Sequence, residues 1–106
     1  MDERKKTTNM DFGEAIRALK VGHKVARAGW NGRGMYLWLK PAEVIKNEWR
    51  CDAYVSECIE ANGGEEILAL STICMFTHDS TGRKAILTGW LASQSDMLCE
   101  DWYIVD

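Results

Sequence analysis

Between Asp11 and Val21 the apolar residues Phe12, Ala15, Ile16 and Leu19 recur at helical spacing, making one apolar stripe of a first helix. Asn9 or Asp11 caps its start, and Gly22 stands where a helix C-terminal glycine belongs. Lys24 to Ala28 then reads as a short strand. Gly29 to Gly34 reads as a turn, with Asn31-Gly32 the strongest hairpin signal in the chain. Met35 to Lys40 follows as a strand that Pro41 ends. It places Met35, Leu37 and Leu39 on one face and Tyr36 and Trp38 on the other.

Between Asn47 and Asn62 helical spacing returns in Cys51, Tyr54, Val55, Cys58 and Ile59, and Asn62-Gly63-Gly64 stops this second helix. Thr72 to Thr77 is apolar on both faces, the pattern of a central strand or of one edge of a subunit contact. His78 to Arg83 is a polar loop and Lys84 to Thr88 a further strand. Ser93 followed by Asp96 reads as a capping box. The helix it starts has to be short, because Trp102-Tyr103-Ile104-Val105 has strand-like residues. The pattern predicts an α+β domain: an N-terminal helix and a second helix packed on a small, mostly antiparallel sheet, with a short helix before the last strand. Residues 1–9 are charged and read as a flexible arm, and residues 10–106 as a single ligand-binding domain.

With 106 residues the chain is large enough for a modest core, and 46% hydrophobic and 27% charged residues are ordinary globular values. The net charge of −3 carries no basic footprint for DNA or RNA. No apolar run reaches the length of a membrane span and no secretory signal is visible, so the expected compartment is the cytoplasm. Cys51, Cys58, Cys74 and Cys99 form no CxxC pair, and His23 and His78 are the two histidines. Reduced thiols are therefore expected, with no metal site and no cofactor.

Candidate chemistry gathers in two stretches, Lys24 to Met35 and Trp90 to Trp102. Trp30, Trp90 and Trp102 offer flat faces for a base, or fill the core, and Trp102 at the start of a terminal strand fits the core best. Arg27, with Arg33 behind it, is the cation best placed for phosphate. Ser93 and Asp96 read first as a self-capped helix start; Asp96 otherwise suits ribose hydroxyls or base N–H groups, and Gln94 and Asn31 can read base edges. Met35 closes the first stretch, and Met97 ends the Trp90–Met97 turn. Asp96, Glu100 and Asp101 also raise a pair of glycosidase-like carboxylates, against which stands a solvated acidic turn. No nucleophile–histidine set can be assembled.

These two stretches, in this order behind a helix containing Phe12 and Leu19, resemble the small phage proteins of the Thoeris anti-defence family, second type. The resemblance runs from Met10 to Val105. In the closing motif Ser95 stands where the family more often has Thr, and Cys99 where it more often has Ala. Pro41 to Ser71 matches poorly, and the first nine residues lie outside the pattern, which makes Met10 a candidate older start. The resemblance implies a molecular sponge in the cytoplasm of the infected host. Such proteins hold a cyclic ADP-ribose-type immune signal, and in some members cyclic dinucleotides, without cleaving it. It also implies a homo-oligomer, commonly a tetramer, with the pocket between subunits. The expected ligand-binding set is Arg27, Trp30, Asn31, Met35, Trp90, Ser93, Gln94, Asp96 and Met97, with no catalytic residue. The alternatives are an enzyme that cleaves the same signal, and a small phage interaction module presenting Tyr36, Trp38 and Trp49.

Overall fold

The computed structural model describes residues 6–30, 34–47 and 52–106. Two compact units emerge: the described residues up to Lys40 together with Thr72–Asp106, and the segment Pro41–Ser71. The fold class is α+β, as the hydrophobic pattern predicts.

In the first unit, helix α1 spans Phe12–Lys20, with strands β1 (Val25–Arg27) and β2 (Tyr36–Lys40) after it. Asp11 starts α1 through a capping box, its side chain accepting from Glu14 N while Glu14 accepts from the Asp11 backbone. After the second unit come β5 (Thr72–His78), β6 (Lys84–Thr88), helix α3 (Gln94–Leu98) and β7 (Trp102–Ile104). The strands form one five-stranded antiparallel sheet in the order β6-β5-β2-β1-β7. The doubly apolar β5 thus takes an interior position, the first of the two places its pattern allows. The Asn31-Gly32 hairpin signal lies outside the described residues, but β1 and β2 pair antiparallel, with Val25 opposite Leu37.

Alternation along the strands sorts the sheet into two faces. Val25, Leu37, Met75 and Trp102 share one face and pack with Ala15, Ala18 and Leu19 of α1, and with Met10, into a single core cluster. Met35 and Leu39 join it from the side, the face predicted for them. The other face carries Tyr36 stacked on Phe76 with centroids 5.4 Å apart, Trp38 at 5.9 Å from Tyr36, and the Lys24 ammonium 5.3 Å from the Tyr36 ring. The outer edge of β7 is not left open. Met10 pairs with Trp102, and Ile104 N donates to Thr7 O at 2.9 Å. Covering an edge strand in this way removes its unpaired N–H groups from solvent.

The second unit differs from the sequence reading. Its helix α2 is shorter than expected, Ala53–Ala61, capped by Asp52. It is accompanied by a two-stranded sheet of β3 (Glu43–Lys46) and β4 (Glu66–Ala69), which the pattern did not predict. Glu-Val-Ile-Lys and Glu-Ile-Leu-Ala are too short to show periodicity, and their pairing is long-range, Val44 with Leu68 and Ile45 with Ile67. Among the described residues of this unit, Ile59 is the fully buried one.

Among the described residues no helix is long and apolar enough to cross a membrane, and no His, Cys, Asp and Glu cluster could hold a metal. Cys58 is exposed, Cys74 buried and Cys99 half-buried, all as free thiols; Cys51 lies outside the described residues. Leu37, 1% exposed, sits in the core where β2, β1 and α1 meet. Leu37→Ala is therefore expected to cost about 3 kcal/mol in denaturant unfolding. Leu68→Ala, on an exposed strand of the second unit, should stay within about 0.5 kcal/mol of the parent.

Candidate functional site

Strand alternation dictates the centre of this site. Val25 points into the core, so Arg27, two residues on, points to the same covered face, and its register partner is the fully buried Trp102. A guanidinium there, with its side chain 14% exposed, needs carboxylates. Two meet it. Arg27 Nη1 donates to Asp96 Oδ1 at 2.7 Å, and Arg27 Nε donates to Asp101 Oδ1 at 3.0 Å. Among the described residues Nη2 has no acceptor.

Asp96 is 7% exposed, the buried acid of the chain among the described residues. The capping box predicted from Ser93 and Asp96 is present: Asp96 N donates to Ser93 Oγ at 3.1 Å, and Asp96 Oδ2 accepts from Ser93 N at 2.9 Å. The same carboxylate accepts from Trp30 Nε1 at 3.3 Å, and the Asp96 carbonyl accepts from Trp102 Nε1 at 2.9 Å. One residue therefore caps α3, neutralises Arg27 and holds two indoles. Asp101 closes the other side by accepting from Gly29 N at 2.8 Å. A Cβ at Gly29 would stand 2.7 Å from that carboxylate oxygen, so the close approach requires glycine.

The electrostatics follow from these contacts. Burial pushes the Asp96 carboxyl up, but hydrogen bonds from Ser93, Arg27 and Trp30 outweigh it and hold the group below the usual carboxylate range. The Arg27 guanidinium, and then the Cys99 thiol, pull Asp101 down to about 2. Burial, and then Asp101, push the Cys99 thiol up, while both acids raise Arg27 further. Asp96 and Asp101 are thus held ionised at neutral pH, and neither is suited to the general-acid role a glycosidase pair demands.

Three indoles pack edge to face around this charge cluster. Trp30 lies 5.3 Å from Trp102 and 6.2 Å from Trp90, and Trp90 lies 6.2 Å from Trp102. Trp102 is the core member, as expected, while Trp30 and Trp90 are half-buried and keep part of their rings at the surface. The structure therefore brings Arg27, Trp30, Trp90, Ser93 and Asp96 together. Gln94 is exposed at the start of α3 and Met97 is 38% exposed on it. Met35 packs against the core, with its sulfur accepting from Thr77 Oγ1 at 3.3 Å. Asn31 and Arg33 lie outside the described residues. Asp101 was missing from the expected set. The signal for it was its place just before Trp102, which antiparallel pairing sets beside the Arg27–Ala28 end of β1, where Ala28 N donates to Asp101 O at 3.0 Å.

Fold and site together define a small α+β domain that presents a half-buried indole pair above an ion-paired arginine. The family model of the Thoeris anti-defense 2-like (Tad2-like) domain matches residues 10–105. The chain is 35% identical over 100 residues to the protein named Thoeris anti-defense 2 from Bacillus phage SP01, an alignment covering 92% of this chain and 97% of that one. The chain belongs to the Thoeris anti-defense 2-like family.

Asp101 titrates lower in the folded chain, about 2, than its ordinary value of 3.8. Its stabilising contribution is therefore complete above the unfolded value and is lost as the pH falls toward about 2. Asp101→Asn should lower the melting temperature at pH 7 and flatten the loss of stability between about pH 5 and pH 2. An unchanged melting temperature and acid slope would show that the Arg27–Asp101 pair carries no stability.

Proposed function

We propose that this chain antagonises Thoeris-type immunity in the cytoplasm of an infected bacterium, by binding a cyclic ADP-ribose-type signal and holding it intact. The relative's name, Thoeris anti-defense 2, supports the first part. The observation that carries the second is the indole cluster fixed on Asp96. Trp30, held by Asp96, and Trp90, packed edge to face on it, offer flat partners fixed by internal contacts, the arrangement that lowers the ordering cost of binding a base. Beside them Arg27 keeps one terminal nitrogen for a phosphate oxygen. Gln94 and Met97 on α3, with Asn31 and Met35, complete the proposed contact set. Cyclic dinucleotides share the same bases and phosphates and are the second proposed ligand class.

Retention without chemistry fits the acids found here. Asp96 and Asp101 are ion-paired and hydrogen-bonded, so a bound glycosidic bond meets no protonated carboxyl from them. Tight binding requires no barrier lowering. The working form is proposed to be a homo-oligomer, a tetramer by family resemblance, with the apolar outer sheet face of Tyr36, Trp38 and Phe76 as the surface that calls for a partner copy.

The test is to incubate the chain with cyclic ADP-ribose isomers, remove unbound ligand, denature the protein and identify the released molecule by mass spectrometry. Intact release is expected, together with an oligomeric mass by light scattering at micromolar concentration. An altered product would establish the enzyme instead, and no retention the interaction module. Asn31→Ala should weaken binding by about 5- to 150-fold, the loss of one polar partner in a dry pocket. Trp30→Ala should do the same through lost stacking.

A further inference from the structure

A cleft of about 290 Å³ opens at the other end of the β1–β7 ladder from Arg27, between α1, the Lys6–Met10 segment and β7. Ile104, at its base, pairs with Val25, whereas Trp102 pairs with Arg27, which separates the cleft from the indole cluster by two strand positions. Its floor is apolar. Met10 and Ala18 are buried there, and Val21, at the C-terminal end of α1, stands 68% exposed at its mouth.

The rim is charged, and among the described residues one cation is left without an ion-pair partner. Lys6 pairs with Glu14 at 3.4 Å, and Glu14 is further held by the α1 capping box. His23 is held by Asp106, which also accepts from Lys24 N at 2.8 Å. Arg17 remains, with no carboxylate or hydrogen-bond partner among the described residues. An apolar floor, an exposed valine and one uncompensated guanidinium define complementary chemistry: a short apolar chain ending in a single negative charge. A planar guanidinium matches a carboxylate in two-point contact, which an ammonium does not. The volume lies at the small end of ligand pockets, which restricts the occupant to a fragment-sized molecule.

We propose that the cleft between α1 and β7 is a second binding site, specific for small amphipathic carboxylates, with Arg17 as the anion-binding residue. It does not rest on the nucleotide reading: Met10 touches the indole cluster through its backbone pairing with Trp102, but Arg17, the proposed anion-binding residue, is no part of that cluster.

The probe is sodium hexanoate, titrated into the full chain and followed by amide NMR, with hexylammonium and hexanol as controls. Hexanoate should give saturable shifts at Ala18, Val21 and Ile104 in the millimolar range, and the two controls should not. Arg17→Gln, at an exposed position, should weaken hexanoate binding by about tenfold or more while the rest of the spectrum is preserved. Val21→Glu, which sets a like charge at the mouth, should weaken it as well. The absence of saturable shifts, an equal response to hexylammonium, shifts confined to the Trp30–Trp90 surface, or an Arg17→Gln chain that binds like the parent would each overturn the proposal.

Discussion

One guanidinium organises this molecule. Arg27 sits on the helix-covered face of β1, where an unpaired charge would be costly, and it draws in Asp96 from α3 and Asp101 from the approach to β7. The short helix α3 makes few backbone bonds of its own, so its position depends on what Asp96 grips. Through that residue the ion pair extends to Trp30 and Trp102, so the surface that carries Trp30 and Trp90 is anchored on a part-buried charge pair. Removing Arg27 would leave two carboxylates without their cation, whereas removing one acid would leave Arg27 its other, so the guanidinium is the costlier partner to lose.

The same arrangement separates the roles of residues that look alike in the sequence. Asp96 has the side chain of a ribose ligand, but Ser93 N, Trp30 Nε1 and Arg27 Nη1 already occupy its oxygens. Its part in the proposed recognition is to orient the groups around it. Arg27 is likewise mostly committed, with only Nη2 lacking an acceptor among the described residues. The proposed contact surface therefore shifts toward groups that stay at the surface: the outward parts of the half-buried Trp30 and Trp90 rings, and Gln94 and Met97 on α3.

Much of this was legible in the chain. The stripe of Phe12, Ala15, Ile16 and Leu19, the alternation of Met35 to Lys40 and the Ser93–Asp96 capping box are local patterns, and each appears at its place. The long-range pairing was not legible. Glu43–Lys46 and Glu66–Ala69 become strands because they meet each other, which their own few residues do not announce. Asp101 was hidden for the same reason. Its partner lies 74 positions away, and only the β1–β7 register brings the two together. Val25 was a readable core position, and counting two residues on to Arg27 would have predicted a covered cation in need of acids.

The central claim is that the surface held by the Arg27–Asp96 pair receives a cyclic ADP-ribose-type nucleotide. Amide hydrogen exchange of the full chain, with and without the ligand, tests it most directly. The account predicts slowed exchange in the peptides covering residues 27–35 and 90–98, with the two-stranded β3–β4 sheet of the second unit unchanged. Protection confined to β3 and β4, or no protection at saturating ligand, would contradict it.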